Sequence, residues 1–172
     1  EFIGEICSKW MADFDGKTIA ITGSNGKTTT KDLISHILIK NGHNVSKTEG
    51  NFNTSIGVPL TIFSFSNDPS QIYVLELGAN QVGDIDYLSS IIKPDIGIIT
   101  NISGAHLEGF GSIDNIRKEK KSIFNHSNKG YYGDEIDTSI ILSNHPLANN
   151  KVFLKNASIA YEVCKDFIDK NN

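Results

Sequence analysis

Residues 23–30 read Gly-Ser-Asn-Gly-Lys-Thr-Thr-Thr, an order of residue types suited to holding a row of phosphates. Glycines let the backbone turn over an anion, and successive N–H groups then point at its oxygens. Lys27 would reach the β- and γ-phosphates and the Thr28 hydroxyl would join a Mg²⁺ shell, with Gly23, Ser24, Asn25, Gly26 and Thr29 completing the cradle. The spacing is G-x-x-G-K-T; the longer G-x-x-x-x-G-K-[ST] fails because residue 21 is Ile. A plain glycine-rich turn with a solvated lysine is the alternative, but an apolar run before the loop and a helical pattern after it favour a nucleotide.

Two more residues stand out against their surroundings. Glu76 closes an otherwise apolar run, at the strand end where open α/β sheets bind ligands. A carboxylate there suits Mg²⁺ beside Thr28; an ordinary solvated strand end is the alternative. Lys120 has Ile113, Ile116, Ile123 and Phe124 at −7, −4, +3 and +4, in the middle of a helix's apolar stripe, while Lys118 points the other way. Burial there would lower its pKa and leave more neutral amine. The alternative is a snorkelling lysine whose stem packs on the core.

The elements that must position these groups follow from periodicity. Thr18–Thr22, Ile72–Leu77 and Ile96–Thr100 are continuous apolar runs, the pattern of strands buried on both faces. Leu33, Ile34, Ile37 and Leu38 form one helical face, closed by Asn41-Gly42. Ile85, Leu88, Ile91 and Ile92 form a second, ended by Lys93-Pro94. Ser112 is the expected N-cap of the third, which carries Asp114 in its first turn and runs through Phe124. Strands alternating with helices predict an α/β fold, a mostly parallel sheet flanked by helices in three layers. After Phe124 the pattern changes: 125–137 is polar, and short apolar runs follow at Ile140–Leu142 and Val152–Leu154, then a helix from Ala157 to about Ile168. This tail either adds strands to the same sheet or forms a loosely attached segment.

The chain has 172 residues, 38% of them hydrophobic, and a net charge of −4. That is the size of one domain with a real core. The acidic balance argues against capture of nucleic acid, and no apolar run is long enough to insert in a membrane. Cys7 and Cys164 match no metal or redox spacing, so a reduced, cytoplasmic setting is expected.

Thr22–Thr29 resembles the ATP loop of the Mur ligases and the related folylpolyglutamate synthases. Glu49–Pro59 resembles the family's G-N-x-N-x-x-x-G-V-P loop. Glu76-Leu77-Gly78-Ala79-Asn80 and His106-Leu107-Glu108-Gly109-Phe110-Gly111-Ser112 are similar to the branch that adds D-alanyl-D-alanine to a UDP-N-acetylmuramoyl tripeptide. Lys120-Lys121-Ser122-Ile123-Phe124 completes the set, in the family's order.

The resemblance implies a P-loop-type domain and an ATP-dependent amide ligase working through an acyl phosphate, with the UDP-muramoyl peptide and D-alanyl-D-alanine as small-molecule substrates. It implies ATP and Mg²⁺, with Thr28, Glu76, His106 and a carbamylated Lys120 about the metal. Lys27, Lys120 and His106 would be the catalytic set, and Asn51 and Asn53 would face substrate. A loop histidine is often only polar surface, and asparagine is common in turns for its own reasons. The family's enzymes have three domains. Residues 1–124 match part of the central one, and 125–172 are expected to be a divergent tail. A truncated core is therefore expected, as an excised fragment, a decayed relative or one part of a split enzyme whose missing domains another chain supplies; a nucleotide-binding module without ligase activity is the alternative. A GTPase or small kinase is disfavoured, because no guanine-reading N-K-x-D is present.

Overall fold

The computed structural model describes residues 2–104, 107–138 and 150–168. Its elements, in chain order, are α1 (Phe2–Ala12), β1 (Lys17–Thr22), α2 (Lys27–Lys40), β2 (Asn44–Lys47), α3 (Gly57–Phe63), β3 (Gln71–Glu76), α4 (Asp84–Ile92), β4 (Ile96–Ile99), α5 (Leu107–Phe110), α6 (Ile113–Lys121), β5 (Lys129–Tyr132) and α7 (Lys151–Ile168). The five strands form one sheet in the order β2-β3-β1-β4-β5, and every pairing is parallel.

Side chains alternate across the pleat, so each central strand feeds two cores. Ile19, Ile21, Ile72, Val74, Ile96 and Ile98 face one side, where Ile34 and Leu38 of α2 and Ile159 and Val163 of α7 cover them. Ala20, Tyr73, Leu75, Leu77 and Ile99 face the other, against Cys7, Met11, Val58, Ile62, Ile85, Leu88 and Ile123. The three predicted apolar runs are the three central strands, buried on both faces as a covered parallel sheet requires.

Elements with weak patterns escaped the sequence reading. β2 is four residues on the sheet edge, and none of them is fully buried. α3 carries Pro59 in its first turn, where a missing N–H costs nothing. α1 buries Gly4, Cys7 and Met11 and sets Trp10 edge-on to Phe63. Ser112 caps α6 as expected, accepting from Asn115 N–H. Ile113, however, is 43% exposed. The apolar stripe begins a turn later, at Ile116, and a 3-10 turn over Ser122–Asn125 carries it to Ile123.

The expectation of a short strand at Val152–Leu154 is corrected: these residues lie inside the long helix α7, where Asn156, Ile159, Ala160 and Val163 provide a buried face at helical spacing. Residues 140–142 lie outside those described. The polar stretch after Phe124 contains β5, which joins the sheet beside β4, and α7 packs along α2. Lys129 and Tyr131 of β5 are tied to α7 through Asp166, at 2.7 and 2.9 Å. Both cysteines are free and buried, and no described helix is long and apolar enough to cross a membrane.

Candidate functional site

β1 lies at the centre of the sheet, with β3 on one side and β4 on the other. The chain crosses over β1 between those strands, so loops leave in opposite directions and a crevice opens at their C-terminal ends, the usual ligand position of a doubly wound sheet. The loop Gly23–Gly26 stands at that crevice. Gly23 and Gly26 have φ of +145° and +82°, values an L side chain rarely adopts. Gly26 precedes Lys27, the first residue of α2, so the first amides of a fourteen-residue helix face the same opening.

The predicted residues converge there. Thr28 Oγ1 donates to Glu76 Oε2 at 2.8 Å, and Asn53 Nδ2 donates to Glu76 Oε1 at 2.9 Å. Glu76 is 3% exposed and has no ion-pair partner within 4.0 Å among the described residues. A buried carboxylate held by one hydroxyl and one amide, with no cation in direct contact, is a place that favours a bound cation. Hard oxygen donors around such a charge fit Mg²⁺, which takes carboxylate and hydroxyl oxygens together with phosphates and waters. Lys27 Nζ donates to Gly23 O at 3.0 Å, across the mouth of the loop. Burial lowers its pKa, and the charge of Glu76 opposes that shift.

A cavity of about 150 Å³ reaches two of these groups, Lys27 and Asn53; Asn80, Phe110, Ile116 and Lys120 are also in its wall. Lys120 is 5% exposed, with its Nζ 5.9 Å from the centre of the Phe110 ring. Burial, and then the charge of Lys27, bring its pKa down to about 8. The helix face that the sequence assigned to Lys120 is therefore the one that lines the site. Its neighbour Glu119 fixes that orientation: its carboxylate accepts from the N–H groups of Gly83 and Ile85 at 2.6 and 2.7 Å. It supplies acceptors to the N-terminus of α4 and locks α6 onto it.

Asn51 is on the exposed loop surface, and its carbonyl accepts from Asn53 N–H at 2.8 Å. Asn53 is in the cavity, with its amide on Glu76. Thr29 is exposed in the first turn of α2. His106 lies outside the described residues.

Sequence reasoning missed the groups that brace the loop from behind. Thr100 Oγ1 donates to Asn25 O at 2.6 Å. Asn101 takes both the Ser24 and the Asn25 N–H groups, and Ser103 pairs with Ser24. On the other flank Asn156 of α7, 5% exposed, stands where a Cβ on Gly26 would come within 2.5 Å of its Oδ1. The one available signal was a polar run directly after a buried strand, on the ligand edge of the sheet.

Comparison with protein families matches residues 21–164 to the Mur ligase middle domain. Among curated proteins, the UDP-N-acetylmuramoyl-tripeptide--D-alanyl-D-alanine ligase of Bacillus subtilis is 39% identical over 135 residues, 76% of this chain and 29% of that protein. The ligase of the same name from Buchnera aphidicola (Acyrthosiphon pisum) is 37% identical over 161 residues, 92% of this chain and 33% of that one. Among solved structures, MurF ligase from Thermotoga maritima in complex with ADP superposes with a TM-score of 0.77 at 25% identity, covering 96% of this chain and 48% of that one. The chain thus spans about a third or less of the length of these two curated relatives.

Proposed function

The chain belongs to the Mur ligase family through its middle domain, and from that premise we propose that it is the ATP-using core of a ligase that adds D-alanyl-D-alanine to a UDP-N-acetylmuramoyl tripeptide, in peptidoglycan precursor synthesis. The reading rests on one observation: Gly23, Lys27, Asn53 and Lys120 line a single cavity, and Asn53 also holds Glu76, the partner of Thr28. The names of the relatives supply the substrates.

In this reading the γ-phosphoryl group of ATP passes to the tripeptide carboxylate, leaving ADP and an acyl phosphate. The amine of D-alanyl-D-alanine then attacks the acyl carbon, the amide bond forms and phosphate departs. Such chemistry depends on positioning and on neutralising charge. The amides at the start of α2 and the ammonium of Lys27 hold the β- and γ-phosphates. Thr28 and Glu76 are the residues that would hold Mg²⁺, with His106 assigned to the metal by family resemblance. Bound there, Mg²⁺ would offset the negative charge of the transferring group.

Lys120 is assigned a carbamate. With its pKa at about 8, roughly a quarter of it is neutral amine at pH 7.5, against about 0.1% for an ordinary lysine. The neutral nitrogen adds to CO₂, a proton is lost, and a cation becomes an anion beside the metal position. Asn53 orients Glu76, and with Asn51 it borders the substrate side. ATP and nucleotide-linked precursors place the reaction in the cytoplasm.

The test is phosphate release from Mg-ATP in the presence of UDP-muramoyl tripeptide and D-alanyl-D-alanine. Release that requires both substrates supports the ligase. ADP binding without such release supports the nucleotide-binding module, and no rise in melting temperature at high ADP excess removes the nucleotide site itself.

A further inference from the structure

The phosphate loop is two residues shorter than the commoner G-x-x-x-x-G-K-[ST] form, and the loop that follows β4 braces it. Ser24 N–H donates to the carbonyl of Asn101 at 3.0 Å, and Asn25 N–H donates to its side-chain Oδ1 at 2.9 Å. Ser103 N–H donates to Ser24 Oγ at 3.0 Å, and Asn25 Nδ2 donates to Ser103 Oγ at 3.2 Å. Thr100 Oγ1 holds the carbonyl of Asn25 at 2.6 Å. These bonds cross 75 to 79 positions of sequence, so they are properties of the fold and not of the loop.

The consequence is a division of the loop's donors. The two amides after Gly23 are committed to the loop that follows β4, which leaves those from Gly26 onward, with Lys27 Nζ, to receive phosphate. A loop whose first amides already have acceptors does not reorganise when an anion arrives, and a preorganised cradle binds more tightly than one that must be ordered.

We propose that Asn101 is a positioning residue for the nucleotide: its side chain fixes the peptide of Asn25 and thereby the geometry of the amides that hold the β-phosphate. The proposal rests on the assignment of this loop to a nucleotide. It predicts a loss that depends on how many phosphates the ligand carries, which a general loosening of the fold would not give.

The experiment is titration of AMP, ADP and ATP, with Mg²⁺, into the chain and into Asn101→Ala, followed by amide NMR and calorimetry. One neutral hydrogen bond contributes modestly, so ADP and ATP affinities are expected to fall about five- to tenfold while AMP affinity is unchanged. The Asn25 N–H should lose hydrogen-exchange protection in the variant. Should Asn101→Ala fail to fold, Ser103→Ala removes only the bond from the Asn25 side chain and is expected to weaken ADP about two- to threefold, again sparing AMP. Equal losses for all three nucleotides, or none, would overturn the role of Asn101. An unsubstituted chain that binds none of them overturns the nucleotide assignment, and this inference with it.

Discussion

Replacing Lys120 by Met should remove a cost of folding that depends on pH. In the native chain the Lys120 ammonium is buried and faces Lys27, so its pKa falls from 10.5 to about 8. At pH 7 both the folded and the unfolded chain carry the proton, and folding bears the full cost of burying the charge. A shift of about 2.5 units corresponds to about 3 kcal/mol. Above pH 8 the folded chain sheds its proton while the unfolded chain keeps it until about pH 10.5, so this contribution makes the protein more stable as pH rises. Between pH 7 and 9.5 about 2 kcal/mol of the cost is relieved. Cys7 and Cys164 have raised pKa values, at about 11 and 12, and push the other way above pH 9, because the unfolded thiols ionise first. They are common to both chains and cancel in the difference. Urea unfolding of the native chain and Lys120→Met in CO₂-free buffer, from pH 6.5 to 9.5, isolates the lysine. The advantage of the variant should shrink by about 2 kcal/mol across pH 7–9.5. A difference that stays flat with pH would refute the burial argument and, with it, the supply of neutral amine for a carbamate.

Lys27→Ala is expected to lower ADP affinity at least tenfold. At a concentration about 100 times the native Kd, this takes about 1.4 kcal/mol from a ligand stabilisation of about 2.7 kcal/mol, readable as a smaller rise in melting temperature. Gly26→Ala should destabilise the chain by about 2 kcal/mol or more in urea melts, because its φ is +82° and the new Cβ would meet Asn156 Oδ1 at 2.5 Å. Ser112→Ala removes the acceptor for Asn115 N–H; it should cost about 1 kcal/mol, seen as a fall of about 2–4 °C in melting temperature.

The central strands, the helices that follow Thr22 and Leu77, and the glycine-rich turn between β1 and α2 were legible in the sequence alone. Each of these is a local pattern: a run of Ile, Val and Leu, a 3.6-residue stripe, a glycine-lysine-threonine string. The sequence also placed Lys120 on the buried side of its helix, on a stripe of which Ile116 and Ile123 are buried and Ile113 is not. What it could not supply was pairing across distance. β2 and β5 are short and polar-edged, and they become strands because a neighbouring strand presents free backbone groups; Val152–Leu154 had strand-like residues and became helix because α7 needed length to cover α2 and the sheet. The braces of the phosphate loop, the amide of Asn53 on Glu76 and the grip of Glu119 on α4 are likewise contacts between segments far apart in the chain. A hydrogen bond of that kind leaves no periodic trace in sequence, because its partner's position is set by how the sheet is wound, and only the folded chain brings the two ends together.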